Sequence, residues 1–174
     1  MRIAIISDTH FPARGHVLPD ECRARLVAAD LILHAGDHCD AEALSTLRHL
    51  GPPLISVHGN VDGADVRRRL PRQTAFDADG VRIGMIHDAG PAAGRSIRLR
   101  RQFPGADVVV FGHSHIPLVE RAADGFLIVN PGSPTDRRRQ PVHTMAELLI
   151  APGAPVDAVI IPLDGPDGGG SENE

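Results

Sequence analysis

Five short apolar runs in this chain each end at once in a polar cluster, and that repetition narrows the folds open to it. Ile3-Ala4-Ile5-Ile6 is followed by Ser7-Asp8-Thr9-His10, and Leu31-Ile32-Leu33 by His34-Ala35-Gly36-Asp37. Ile55-Ser56-Val57 leads into His58-Gly59-Asn60-Val61-Asp62. Ile83-Gly84-Met85-Ile86 leads into His87-Asp88, and Val108-Val109-Val110-Phe111 into Gly112-His113-Ser114-His115. Short apolar runs of this kind, bounded by turn residues, read as buried strands. Strands are expected over 2–6, 31–34 and 54–57, with helices between them over 19–29, where Pro19 opens the first turn, and 41–50, closed by Gly51 and Pro52. That β-α-β-α-β rhythm predicts a largely parallel sheet with helices outside it.

The second half is patterned differently. Strands expected over 74–77 and 81–86 flank Asp79-Gly80, and strands over 118–121 and 126–129 flank Asp124-Gly125; both dipeptides are hairpin turn signals. Residues 108–111 read as a further buried strand, 95–102 as a helix despite four arginines, and 142–150 with 156–163 as a closing antiparallel edge. Parallel units followed by hairpins predict two sheets packed face to face, with helices on their outer sides. A chain of 174 residues is one ordinary domain, expected over 1–163. The stretch from Asp164 onward is rich in Asp, Gly, Pro, Ser and Glu, and an acidic, disordered tail is expected there.

Composition excludes several chemistries. Every one of the 18 basic residues is arginine, so neither a Schiff-base lysine nor a P-loop ending in Gly-Lys-Ser/Thr exists here. Four of the 22 acidic residues lie at or beyond Asp164, which leaves the body formally neutral. A neutral body argues against a non-specific nucleic-acid binder, and five Phe with no Trp or Tyr make a poor base-stacking platform. Cys22 and Cys39 form no disulfide framework. No apolar run approaches twenty residues, and the four after Met1-Arg2 are too few for a signal-peptide core, so no membrane span is expected and a cytoplasmic location is.

Ten histidines and many aspartates remain to be explained. In sheets of this type, loops beyond the strand ends are where ligands bind. Asp8 and His10 are two apart, as are His113 and His115, and at the end of an extended strand such pairs point to one side. Gly36, Gly59 and Gly112 each precede a candidate ligand, where a missing side chain permits a sharp turn and close approach. Imidazole and carboxylate together suit a first-row divalent ion.

Asp8-Thr9-His10, Gly36-Asp37-x-x-Asp40, Gly59-Asn60, His87 and Gly112-His113-Ser114-His115 resemble, in order, the motifs of the calcineurin-like metallophosphoesterase superfamily. The small single-domain bacterial and archaeal phosphodiesterase branch fits best, and Asn130-Pro131-Gly132-Ser133 resembles that branch too. The resemblance runs from Arg2 to about Leu163. It implies an αββα sandwich of two mixed β-sheets flanked by helices, with two divalent metal ions at the strand ends. Mn would be the foremost ion, with Fe, Zn, Co or Ni also accepted. Asp8, His10, Asp37 and His115 would hold one ion; Asp37 would bridge to the other, held also by Asn60, His87 and His113. Asp37, Asn60 and His115 are given catalytic roles as well. The implied reaction is hydrolysis of a small phosphate ester, foremost a phosphodiester, by in-line attack of a hydroxide shared by ions roughly 3.5–4 Å apart.

Two places depart from the family pattern. Much of the family has Gly-Asn-His-Glu or Gly-Asn-His-Asp, whose His can protonate the leaving group; here Val61 stands at that place. The implied site favours good leaving groups or recruits another acid, for which His38 and His58 are candidates, with a supporting or surface role the default for each. The family's His-Gly-His is His87-Asp88-Ala89 here, and Asp88 would either tighten metal binding or repel an anionic substrate.

Smaller features take blander readings. The arginines at 67–69 with Arg72, and those at 137–139, are expected on solvated faces; if one run meets substrate, the second is favoured for its adjacent Gly-Ser turn. His16, His49 and His143 have no sequence partner, His34 is a candidate for supporting the ligands, and Cys39 is expected to be a buried thiol. Ser114 lacks the last glycine of a Gly-x-Ser-x-Gly elbow. Two alternatives stay open: a catalytically weak or inactive interaction module of the same fold, like one eukaryotic retromer subunit, and a nuclease. A homodimer through an exposed sheet edge is also open.

Overall fold

Alternation along each strand decides which layer each side chain enters. In a computed structural model of the chain, which describes residues 1–11 and 17–163, the first half gives β1 (Arg2–Ile6), α1 (Asp20–Val27), β2 (Leu31–His34), α2 (Ala41–Arg48), β3 (Leu54–Ser56) and α3 (Ala64–Arg69). Then come β4 (Gln73–Ala78), β5 (Val81–Ile86), α4 (Arg95–Gln102) and β6 (Val108–Val110). The remainder gives β7 (Leu118–Arg121), β8 (Leu127–Asn130), β9 (Thr144–Leu149) and β10 (Asp157–Pro162).

One sheet has the order β10-β9-β1-β2-β3 and the other β4-β5-β6-β8-β7. In the first, β1, β2 and β3 are parallel, with Ile3 opposite Leu31 and Ile32 opposite Leu54, while β9 and β10 add antiparallel pairings. In the second, β5, β6 and β8 are parallel and β4 and β7 close the edges antiparallel. Both sheets are mixed, as expected. Pro162 falls on edge strand β10, where its missing N–H costs no ladder bond.

Ile3, Ile5, Leu31 and Leu33 of one sheet share a buried cluster with Ile83, Met85, Val108, Val110, Leu127 and Val129 of the other. The intervening residues turn outward: Ala4, Ile6 and Ile32 meet Cys22, Leu26, Ala43 and Leu47 from α1 and α2. Val109 and Ile128 meet Leu99 and Phe103 from α4 and the turn after it. The layers are therefore helix, sheet, sheet, helix. Because five of the parallel strands carry the polar clusters at their C-terminal ends, the same architecture brings those clusters to one edge of the sandwich.

Element ends differ from expectation by a residue or two, and α1 and α2 stop short of 29 and 50. One element was not expected at all. α3 buries only Val66 in six residues and ends in three arginines, so its sequence carries no amphipathic stripe. The acidic tail and His16 lie outside the described residues.

Candidate metal centre

Seven side chains from both sheets converge beyond the strand ends. Asp8, His10 and His115 form one group and Asp37, His87 and His113 another, the ligand atoms of each lying within 4.8 Å of one another. In the first group, His115 Nε2 stands 3.3 Å from Asp8 Oδ1 and 3.2 Å from His10 Nε2. In the second, Asp37 Oδ2 is 3.2 Å from His87 Nε2, and Asn60 Oδ1 is 3.0 Å from His87 Nε2 and 2.9 Å from His113 Nδ1. Asp37 Oδ2 also reaches to 3.9 Å from His10 Nε2, so it stands between the two groups. All seven expected ligand residues are brought together.

Each carboxylate is fixed by one oxygen and offers the other. Asp8 Oδ2 accepts from the Ser7 hydroxyl at 2.6 Å and from His113 N–H at 3.0 Å. Asp8 Oδ1 is buried without a hydrogen bond, facing His115, His10 and His87 Nε2 at 3.3, 3.9 and 4.0 Å. Asp37 Oδ1 accepts from Val61 N–H at 2.9 Å, which leaves Oδ2 for the cleft. The imidazoles follow the same rule. His87 Nδ1 bonds the Ala35 carbonyl at 2.8 Å and His115 Nδ1 the Asp136 carbonyl, so each Nε2 keeps its lone pair for the cleft.

An orphaned buried carboxylate oxygen facing imidazole nitrogens is the test of whether metal ions fit. Ligands bound at about 2.1 Å and meeting at 90–109° stand about 3.0–3.4 Å apart. The His10–His115, Asp8–His115 and Asp37–His87 contacts, at 3.2–3.3 Å, fall in that range, and Asn60 Oδ1 lies at its lower edge, 2.9–3.0 Å from His113 and His87. The donors are nitrogen and oxygen, which first-row divalent ions accept. Cys39 is half-buried, not fully buried as expected, with Sγ 3.9 Å from His10 Nδ1; burial and the charges of Asp62, Asp37 and Asp40 push its thiol up to about 11.

The field of the site is that of a cation trap. Burial opposes protonation of His87 and His115, yet the neighbouring Asp37 and Asp8 carboxylates hold both above the ordinary histidine value. Burial likewise would raise the Asp37 carboxyl, but His87 and the Val61 N–H draw it below the ordinary range. At His10 burial prevails over Asp8 and Asp37, and its pKa is lowered.

Local backbone explains how residues two apart converge, and the extended geometry expected for them is not the reason. Asp8, His10, Asp37, His113 and His115 all have positive φ, between 50 and 68°. Left-handed turns, not strand ends, aim these side chains. The glycines are needed for close approach: a Cβ on Gly59 would stand 2.1 Å from Asp37 Oδ1, and one on Gly112 1.9 Å from Ser7 Oγ.

Several supporting residues had no assigned role in the sequence. Asp62 is 3% exposed and accepts from the N–H groups of Asp37 (3.1 Å), Cys39 (2.7 Å) and Gly59 (2.7 Å), tying the loops after β2 and β3 together. Its sequence signal was its place in the Gly59-Asn60-Val61-Asp62 cluster, where the family pattern has Glu or Asp. Asn130 donates to the Gly112 carbonyl at 2.9 Å, and Ser133 to the Asp8 carbonyl at 2.8 Å, so the Asn-Pro-Gly-Ser stretch clamps the loops after β1 and β6.

The two acid candidates separate. His38 is fully buried, stacked on His34 at 3.6 Å and bonded to Ser56 Oγ at 2.6 Å, away from the cleft. His34 bonds Thr9 Oγ1 at 3.1 Å and supports the first ligand loop. His58 is half-buried and lines a cavity of about 270 Å³ beside Asn60 and His87. Arg67 and Arg72 line the same cavity, so the first arginine run, not the second, adjoins it. Arg137 instead bonds the Gln140 carbonyl of its own loop at 2.8 Å, although the charge of Arg138 reaches His115. A larger cavity, about 610 Å³, lies at the opposite strand ends around Val81, Asp107 and Leu127, away from all seven residues.

Relatives align with nearly the whole chain. A probable metallophosphoesterase of Methanothermobacter thermautotrophicus is 35% identical over 168 residues, covering 95% of each chain. Another, from Methanocaldococcus jannaschii, is 34% identical over 167 residues, 94% of this chain and 82% of its own. Among solved structures, Vps29 of Entamoeba histolytica in complex with zinc superposes with a TM-score of 0.73 at 23% identity, covering 94% of this chain and 99% of that one, a likeness of fold. Residues 1–151 match the model of the calcineurin-like phosphoesterase superfamily domain, and the chain belongs to that family.

Proposed function

We propose that this chain hydrolyses phosphodiesters of small molecules with two divalent ions held by Asp8, His10, Asp37, Asn60, His87, His113 and His115. The observation that carries the reading is Asp8 Oδ1, buried and unbonded among three imidazole nitrogens, with Asp37 Oδ2 standing between the groups. Bound ions would supply a water acidified to near neutrality and would withdraw charge from the phosphate oxygens. Mn²⁺ is the ion of first choice; Fe, Zn, Co and Ni accept the same donors.

The chain's own part is positional. Asp8 and Asp37 each present one oxygen because the other is held, and His87 and His115 present Nε2 because backbone carbonyls take Nδ1. Asn60, exposed, and His113, part-exposed at the rim, leave the phosphorus approachable from solvent. Val61 has no proton to give a leaving group, and the imidazoles among the seven would be taken up as ligands, so esters with good leaving groups are the suited substrates. The cavity beside His87 gives a second ester arm a place to lie, which favours a diester.

The test is hydrolysis of bis-p-nitrophenyl phosphate and p-nitrophenyl phosphate by chelator-stripped protein, with and without added Mn²⁺. Metal-restored cleavage, faster for the diester, supports the proposal. An interaction module of the same fold is the second reading. Val61 and Ile116 favour it, being 45% and 54% exposed apolar side chains beside Asn60 and His115. No turnover of either ester with any of the five metals would turn the assignment to that module.

A further inference from the structure

The cavity beside His87 has charge that the seven ligand candidates do not use. It is lined by His58, Asn60, Arg67, Arg72, His87 and Asp88. Its two guanidinium groups arrive by separate routes. α3 carries Arg67 to the Asn60 loop, where Nη2 donates to the Asn60 carbonyl at 2.6 Å. Arg72 follows Pro71, whose carbonyl accepts from His58 N–H at 3.0 Å, so that bond sets Arg72 and His58 at one cavity wall.

Neither arginine has a carboxylate partner among the described residues, whereas Arg68, next to Arg67, pairs with Asp65. The opposing charge in the cavity is Asp88, and its Oδ1 already accepts from Gly90 N–H at 2.7 Å. Two positive groups against one engaged carboxylate leave a net attraction for an anion. Guanidinium forks suit phosphate oxygens. At about 270 Å³ the space lies just below the usual range of whole-ligand pockets, so it fits a phosphate head and short linker.

We propose that Arg67 and Arg72 form a subsite for a second phosphate, so that the preferred substrates are organic phosphate esters carrying another phosphate on a short spacer. This rests on the phosphoesterase reading for what happens to the first phosphate, but the binding step is separable from it. Arg72 is the residue to change, because replacing Arg67 would also release the Asn60 loop.

The experiment is calorimetric titration of propane-1,3-diyl bisphosphate and of propyl phosphate into the full chain, metal-free and Mn²⁺-loaded. Wild-type protein should bind the bisphosphate more tightly than the monophosphate. Arg72→Gln should weaken bisphosphate binding about tenfold and erase that margin, as loss of a charged hydrogen-bond donor at a partly exposed site implies. Arg72→Lys should recover part of the margin, and Arg68→Gln, outside the cavity, should keep it. A margin that survives Arg72→Gln, or one that Arg68→Gln erodes equally, overturns the subsite. Loss of the margin in protein that cleaves no phosphate ester would uphold the subsite and defeat the hydrolase; ester cleavage without any margin would do the reverse.

Discussion

Gly112→Ala tests whether close packing, and not loop flexibility, sets the first ligand group. The backbone of Gly112 is outside the left-handed region, so alanine brings no conformational strain and its cost is steric. Its Cβ would stand 1.9 Å from Ser7 Oγ, 2.7 Å from Asp8 Oδ2 and 2.9 Å from Ser7 Cβ. Ser7 is fully buried, so its hydroxyl must leave Asp8 Oδ2, and the lost bond to a carboxylate costs about 1.5–3 kcal/mol. Overpacking adds about 1–3 kcal/mol. Taken together, a loss of about 4 kcal/mol lowers the melting temperature of a domain this size by roughly 8–16 °C. Metal affinity should fall about 10–100-fold as Asp8 turns. Ser7→Gly removes both Ser7 atoms from the clash, so the double variant should be more stable than the sum of the single effects by at least about 1 kcal/mol. Thermal melts of the metal-free proteins and metal content after dialysis are the assays. A Gly112→Ala protein that melts within 2 °C of wild type and keeps its metal would refute the packing argument, as would strict additivity of the two changes.

Asp62→Asn exchanges a carboxylate that receives three backbone N–H groups for an amide with one acceptor, leaving an N–H of the Asp37 or Cys39 loop unpaired. It should cost about 1–3 kcal/mol in urea unfolding and reduce retained metal; unchanged values for both would show that the carboxylate does not position Asp37. Asp37→Asn should lose turnover by more than the roughly 10–100-fold typical of outer partners, and a fully active variant would end its bridging role. The His34–His38 pair gives a pH prediction for metal-free protein. Burial lowers His38 to about 4 and His34 well below its ordinary 6.5. The unfolded chain therefore binds protons first, and the stability from these neutral rings is present above pH 6.5 and lost toward pH 4. His87 and His115, raised by Asp37 and Asp8, act in the opposite sense above pH 6.5. The urea midpoint of wild type should fall from pH 6.5 to 4.5 by more than that of His38→Gln; equal slopes would place the acid sensitivity elsewhere.

What the sequence made legible was periodic or local. Alternating residues such as Ile3, Ala4, Ile5 and Ile6 announce both faces of β1, and a polar cluster directly after a strand announces a ligand loop. The backbone at those loops was not legible, because the left-handed turn at Asp8 is held by contacts from distant loops, His113 N–H on its carboxylate and Ser133 on its carbonyl. Asp62 shows the same limit: its partners at Asp37 and Cys39 are more than twenty residues away. His38 and His58 look alike in sequence, each adjacent to or near a ligand, and only their surroundings in the fold separate them: His34 and Ser56 for His38, the cavity beside His87 for His58. A nearby Gly-Ser turn singles out the second arginine run in sequence, whereas the run that adjoins the cavity is the first, where the Pro71–His58 backbone bond ties separate loops together.

Those distant contacts also bear on why such a site exists in this fold. Five of the seven ligand candidates hold left-handed backbone conformations, each costing of order 1–3 kcal/mol for a non-glycine residue. A domain whose net stability is of order 5–15 kcal/mol carries that sum only where other bonds hold it in place. Here they are identifiable: Asp62 on the loops after β2 and β3, Asn130 on Gly112, and Ser133 and Thr135 on the carbonyls of Asp8 and Thr9. Each of these bonds terminates on the backbone of a ligand loop, so their common effect is to fix where carboxylate and imidazole atoms point. A protein that only presented an outer surface to a partner would gain nothing from holding Asp8 Oδ1 buried and unbonded among three imidazoles. A hydrolase would gain directly, because ions held by these residues before substrate arrives would need no reorganisation when charge develops on the phosphate oxygens.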